Sequence, residues 1–585
     1  MVLSGRFEMK SRYRNRVSTV LRRKVLWTVL AFLTISIIAC GKDRDEEIKA
    51  SRRMYSSLIN EVLDIYDELH PLRSSQLGFH QSDSLLFTFS DEERESFIKR
   101  LEKLQQHFKK LAVIHLEERE IVNSTLILHW LKGELFAFKT LQSYRRSPLL
   151  YCWMVEETLY GIPLRLEPPY EAELAAYEKR LSQIPLLLQN ATALLENVPG
   201  PHTNVAVERL SRLLDRFDEL EGMVAEHYSE RVAHLDSVKN SVTDFRNFLS
   251  NSYLKQLGGI RILGLEYLSR IFLYDELLEI DPNKITEKAE RWIKRLRSHA
   301  ISIRQKLEIT NDRNSMAEAK KPDTESLGHR ISRIMTEIED KVSRRKLLGG
   351  DKIDRLEIAF KNGIRQSYDL PTNPYLTVPP AEDGNFMTTV TPLSPGNPCQ
   401  SFLLVSQRNN RLTDVEILYH LLKESSPIRR IDLMLCENID TVAALFASET
   451  YRQGWMFFQM EDLLTSFPEE KLELELFLLD EKVRALVRTV TVMKLHAGIL
   501  TTEAAVDYIS DVADLSKEEA ESDVILASAS PSIAYPGISL ILIEEMVKKV
   551  SYSKGIRNPR REAQRFLYTN HHVPLSMILD MIQVD

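Results

Sequence analysis

The chain is short of the residues that usually write chemistry into a sequence. It has four cysteines in 585 residues, Cys40, Cys152, Cys399 and Cys436, and no two lie close together. No CxxC occurs, which argues against a zinc ribbon and against a disulfide framework. A single disulfide between distant cysteines stays open for an exported chain, and scattered cysteines otherwise read as small buried residues. The 14 histidines include no pair spaced four apart, and HExxH, GxSxG, a P-loop and a strand-borne GxGxxG are all missing. Glycine is scarce, at 20 residues. That disfavours a turn-rich β architecture.

What is present begins with an address. Residues 1–24 are basic, through Arg12, Arg14, Arg16, Arg22, Arg23 and Lys24. An uncharged stretch from Val25 to Ile38 follows, then Ile37-Ile38-Ala39-Cys40-Gly41 and the charged run Lys42 to Glu47. A basic region, a short apolar region and a small residue before the cut make a signal peptide. The apolar stretch is 14 residues, below the roughly 20 that span a bilayer. A cysteine at the cut resembles the bacterial lipobox, whose Cys becomes the lipidated N-terminus, although Ile37 stands where Leu is usual. The expectation is a signal over 1–39, an acylated Cys40 and tether over 40–54, and a single large domain over 55–585. Gly41, in place of the Asp that retains some lipoproteins in the inner membrane, points to the outer membrane. Without residues 1–39 the chain carries 69 basic and 83 acidic side chains, a net −14. Such a surface suits neither nucleic acid nor a polybasic grip on lipid. The membrane partner is then lipid through acylated Cys40, since two or more acyl chains suffice for stable attachment.

The body is patterned for helices. Met54, Leu58, Ile59, Val62, Leu63, Tyr66 and Leu69 share one helical face, and so do Val207, Leu210, Leu213, Leu214, Phe217 and Leu220. Similar spacing recurs around 92–112, 118–142, 171–196, 231–256, 284–307 and 326–345. Residues 309–325 read as a polar linker. Seven prolines between 371 and 398, with β-branched and apolar runs among them, predict a small β element near 385–406. Helix resumes near Asp414, with a break near 529–537. The fold class is mostly α, a large multi-helix body.

Four segments then resemble, in order, a known family. They are Ser74-Ser75-Gln76-Leu77-Gly78-Phe79-His80, Arg146-Ser147-Pro148-Leu149-Leu150-Tyr151, Ser530-Pro531-Ser532-Ile533-Ala534-Tyr535-Pro536-Gly537 and the stretch Phe566 to Leu579. The chain resembles the bacterial family called domain of unknown function 885, a helical, zinc-peptidase-like group. Its defining His-Glu-x-x-Pro-Gly-His-His is matched by Lys423-Glu424-Ser425-Ser426-Pro427-Ile428-Arg429-Arg430. The resemblance therefore puts Lys423, Arg429 and Arg430 at former histidine positions and leaves Glu424 as a vestige of the general base. The family's Glu-Gly-Trp segment reads Gln453-Gly454-Trp455, so the acidic ligand has become an amide. A further pattern keeps Arg488 and His496 but loses its Asp and Gly.

Zinc takes imidazole nitrogen, thiolate or carboxylate. Protonated lysine and arginine have no lone pair to give. The resemblance with these departures implies a non-catalytic binding or scaffolding protein with no metal and no cofactor. The candidate ligand pocket is Glu424, Arg429, Arg430, Gly454, Trp455, His496 and Tyr535, suited to a peptide or another carboxylate-bearing ligand. The alternative is an active metal-dependent peptidase using zinc at His420 and Glu424, four residues apart on one helical face, with His496 converging on them.

Overall fold

The computed structural model describes residues 44–111, 115–161, 171–218, 221–222, 234–253, 259–314, 326–345, 357–361, 387–390, 402–406, 412–424, 441–552, 557–571 and 573–582. Cys40, Cys399, Cys436, Arg429, Arg430 and residues 315–325 lie outside them. The expected helices are there. The first, Arg44–Leu69, opens well before residue 55, so the expected tether is already helical from Arg44. It runs parallel to Glu118–Phe136, with Arg52 on Glu117 at one end and His70 on Glu134 at the other. Between them Asn123 donates to the Tyr55 hydroxyl at 3.3 Å, and Tyr66 packs on Trp130. Ser90 and Glu93 start Asp91–Lys110 with a reciprocal capping box.

The centre of the molecule is the helix Lys471–His496. At 1.5 Å per residue it is about 39 Å long. Leu474, Leu478, Leu486, Val490 and Leu495 are buried along it. The helix Pro282–Asn314 lies antiparallel against it, joined by Lys494–Glu290 and Arg304–Asp480. That helix carries on to Asn314. The polar stretch expected from 309 therefore begins as a helical end. The helices Lys517–Ala529 and Tyr535–Tyr552 flank the centre with the short 3-10 turn Pro531–Ala534 between them. The chain bends by 114° there, because Pro531 and Pro536 remove helix donors.

Most buried apolar residues from Tyr55 to Met581 form one large core, and Ala300, Ile303 and Leu479 form a small second one. Cys152 lies in the large core as a free thiol. The expected β element is also present. Strands Met387–Val390 and Phe402–Ser406 pair antiparallel, and a third, Glu357–Lys361, adds to Phe402–Ser406 in parallel. That third strand falls outside the expected span, because a five-residue run shows no clear period. Among the described residues no single helix is long and apolar enough to cross a membrane.

Candidate functional site

The helix Asp414–Lys423 carries the residues nominated from sequence, and a Thr413–Glu416 capping box fixes its start. Its last turn faces the central helix. Lys423 Nζ donates to Glu481 Oε1 at 3.2 Å, and the Tyr419 hydroxyl donates to the other carboxylate oxygen. Burial pushes the Glu481 carboxyl up, but Lys423, the Tyr419 hydrogen bond and nearby His420 outweigh it and hold the group below its ordinary value. Glu424 closes the helix and is buried. The Lys423 ammonium is thus engaged by the Glu481 carboxylate. Gln453 Nε2 donates to Glu449 Oε1 at 2.5 Å. Lys423 and Gln453 do not fit zinc as donors, since a protonated amine has no lone pair to give and zinc takes imidazole, thiolate or carboxylate rather than an amide. Among the described residues no three His, Cys, Asp or Glu side chains gather as a metal site.

The structure separates the other nominees. His496 lies 15 positions after Glu481 on the same helix, about 22 Å away along its axis. It therefore does not converge with His420 and Glu424, and it does not share a pocket with them. It accepts from the Leu263 amide at 3.2 Å and donates from Nε2 to the Ala527 carbonyl at 3.1 Å. Burial lowers it to about 4, so it is a neutral structural histidine at pH 7. Trp455 is a core residue. Gly454 allows a close approach, since a Cβ there would meet the Ile543 side chain at 2.9 Å. Tyr535 is buried and donates to Asp275 Oδ2 at 2.5 Å.

Asp275 marks a place that sequence reasoning did not nominate. Helix Leu265–Glu276 ends at Leu277, whose φ of 53° is left-handed, an uncommon conformation for a residue with a Cβ. There Leu126, Trp130, Tyr274, Asp275, Glu276, Leu277, Phe446, Ser448 and Pro574 line a small recess of about 10 Å³, room for roughly one water. Glu276 is buried and caps the helix Glu449–Leu463 from outside. It accepts from the Ser448 and Thr450 hydroxyls at 2.6 and 2.7 Å and from the amides of Glu449 and Thr450 at 2.8 and 3.2 Å. Burial pushes its carboxyl up, and those donors pull against the push. Trp130 Nε1 donates to Glu134 Oε1 at 2.7 Å, and His70 Nε2 lies 2.6 Å from the same oxygen. No spacing rule gathers these residues, because they come from five separate segments.

The pattern of the family described as bacterial protein of unknown function (DUF885) matches residues 71–535. The chain belongs to this family. Two solved structures share the DUF885 chain's fold. One is a candidate lipoprotein of unknown function from Shewanella oneidensis, 15% identical, with a TM-score of 0.64. The other is a candidate lipoprotein from Colwellia psychrerythraea, 12% identical, with a TM-score of 0.65. Each match covers 90% of this chain and 98% of the other. No curated protein matches the sequence.

Several DUF885 landmarks turn out to be structural. In the early segment, Ser75 and His80 bind the Asp83 carboxylate. Buried Arg180 donates to Ser75 Oγ and the Ser82 carbonyl, both at 2.8 Å, pinning the loop. Arg488 and Arg484 both clasp buried Asp523 through two bonds each. Burial pushes the Asp523 carboxyl up, but the two guanidinium groups outweigh it and hold it below its ordinary value. A depressed folded-state value stabilises the fold above the unfolded value, near pH 4 for aspartate. That contribution is lost as pH falls through the folded value. Urea midpoints measured from pH 6 down to pH 2 are expected to fall less steeply for Asp523→Asn than for the parent, from a lower start. Parallel curves would show that Asp523 is not the linked group.

Proposed function

We propose that the protein is a lipid-anchored protein of the bacterial cell envelope that binds a ligand in a peptidase-like cleft without cleaving it. The observation that carries this reading is the Lys423–Glu481–Tyr419 set, in which a fixed internal cation stands where a ligand histidine belongs. Gln453, bonded to Glu449, supports it. The lipid anchor rests on Cys40 after its apolar stretch and on fold relatives described as candidate lipoproteins. Gly41 favours the outer membrane. The ligand class is an extended peptide or another carboxylate-bearing molecule, to which guanidinium groups such as those of Arg429 and Arg430 are chemically suited. A net −14 beyond residue 39 leaves nucleic acid aside.

Two measurements test this. Cell fractionation of Cys40→Ser is expected to move the protein from the membrane to the soluble fraction, and an unchanged distribution would remove the anchor. Fluorogenic peptides incubated with the full protein and added zinc are expected to hydrolyse at the buffer rate. Turnover that Glu424→Gln abolishes would overturn the non-catalytic reading.

A further inference from the structure

We infer that Arg146 and Arg261 together form a binding site for a phosphate group. The site lies apart from the Lys423–Glu481 set, because Arg261 acts on His496 at the far end of the central helix. It does not depend on the cleft reading above.

Two segments distant in sequence bring the arginines together. Helix Glu118–Phe136 runs into a π turn, Ala137–Leu141, which ends at Gln142 with a left-handed φ of 48°. Turns of this kind at a helix recur at functional sites. The short helix Ser143–Arg146 follows, and Arg146 opens one of the segments that mark the family. Arg261 comes from the loop 259–264 and donates from Nη2 to the Leu141 carbonyl at 2.9 Å, which holds it beside the π turn. Arg146 is near enough to act on its charge. Arg261 is half-buried and Arg146 is exposed, so the pair can be reached from solvent.

Neither guanidinium has a carboxylate partner among the described residues. Burial lowers Arg261 and the charge of Arg146 lowers it further, to about 10. The other titratable groups in its field are His202 and His496, which burial keeps neutral at pH 7. Arg145, the neighbour in the chain, is answered separately by Glu196 at 3.5 Å. Acidic side chains outnumber basic ones by 83 to 69 beyond residue 39, so this pair is not left without carboxylates for want of them in the chain. Two like charges held near each other at a half-buried place cost free energy. An anion between them would offset that cost.

A single guanidinium fork fills both oxygens of a carboxylate. Two forks suit a phosphate better, because it offers at least three oxygens and carries about −1.5 to −2 at pH 7. The same chemistry comes from free phosphate or from a phosphate ester such as a lipid head group.

The test is a phosphorus NMR titration of the full protein in non-ionic detergent at pH 7 and constant ionic strength, with inorganic phosphate as probe. Saturable binding is expected, with acetate at least about tenfold weaker as a competitor, the loss that follows from removing one charge-assisted hydrogen bond. Arg146→Ala is expected to weaken phosphate by at least the same factor. Its thermal melt without phosphate is expected to match the parent's, since the exposed side chain holds no other group. Arg146→Lys keeps the charge and removes the fork, so its affinity is expected between the two. Arg261→Gln keeps a donor for the Leu141 carbonyl and is expected to lose phosphate as Arg146→Ala does. Phosphate that does not saturate, acetate that competes equally, or parent-like binding by Arg146→Ala or by a folded Arg261→Gln would each overturn the assignment. Displacement of phosphate by glycerol 3-phosphate assigns an ester as the source, and phosphate binding that the ester leaves untouched assigns the free ion.

Discussion

Glu276→Ala is expected to destabilise the fold by about 3–5 kcal/mol. Four donors converge on this buried carboxylate. On its removal the Ser448 and Thr450 hydroxyls can turn toward each other, since their oxygens already lie 3.1 Å apart. The amides of Glu449 and Thr450 cannot turn. They belong to the first turn of a helix and have no intrahelical acceptor, and each buried orphan costs about 1–3 kcal/mol. The negative charge at the helix N-terminus is lost as well, worth up to about 2 kcal/mol when partly buried. Glu276→Gln keeps one acceptor oxygen and avoids burying a charge, so about 1–2 kcal/mol is expected from the same terms. Urea unfolding monitored by circular dichroism decides between them. An alanine variant within about 0.5 kcal/mol of the parent, the scatter of an ordinary surface substitution, would mean that Glu276 does not hold Glu449–Leu463 against the rest of the body.

A second large effect is expected at Gly537. A Cβ placed there would lie 2.5 Å from the Ala485 carbonyl oxygen and would run into Thr489 Oγ1. Both belong to the central helix, and Thr489 is itself tied to the Ala534 carbonyl at 2.9 Å. The two helices must separate for the methyl to enter. Overpacking of this kind costs about 1–3 kcal/mol and sometimes more, and the clash with backbone puts Gly537→Ala at about 3 kcal/mol or above. On an open helix the same change would stabilise by up to about 1 kcal/mol, so even the sign is diagnostic. Gly454 is the control. There the neighbours are the Ile543 and Leu575 side chains, nearest Ile543 Cγ1 at 2.9 Å, with no backbone among them, so Gly454→Ala is expected to cost less, about 1–2 kcal/mol. Equal effects at the two glycines would contradict the close crossing at Gly537.

The helical body was legible before the structure because its apolar spacing repeats at three and four over long stretches. The faces of Arg44–Leu69 and Gly200–Asp215 are read directly from Leu58, Val62 and Leu69 and from Leu210 and Leu213, all buried. The bend before Tyr535 was legible for another local reason, its two prolines. Element ends were less so. Polar residues at 309–314 and 44–54 suit a solvated helix as well as a linker, and composition does not separate the two. The candidate site divides the same way. Lys423 and Gln453 stand inside recognisable segments, and the structure gives each a partner, Glu481 and Glu449. Grouping His496 with Glu424 failed because position along a helix in space cannot be read from sequence order across segments. The recess went unseen for that reason too. Trp130, Glu276 and Ser448 are ordinary residues until folding sets them side by side.

The most direct test of the account is metal retention. The full protein would be loaded with zinc, dialysed and measured by mass spectrometry beside its Lys423→Ala variant. Zinc far below stoichiometry in the parent is the predicted result, because Lys423 has no lone pair to give and Gln453 offers only an amide. Near-stoichiometric zinc in the parent, lost on replacing His420 or Glu424, would contradict the account and return the cleft to metal-dependent hydrolysis.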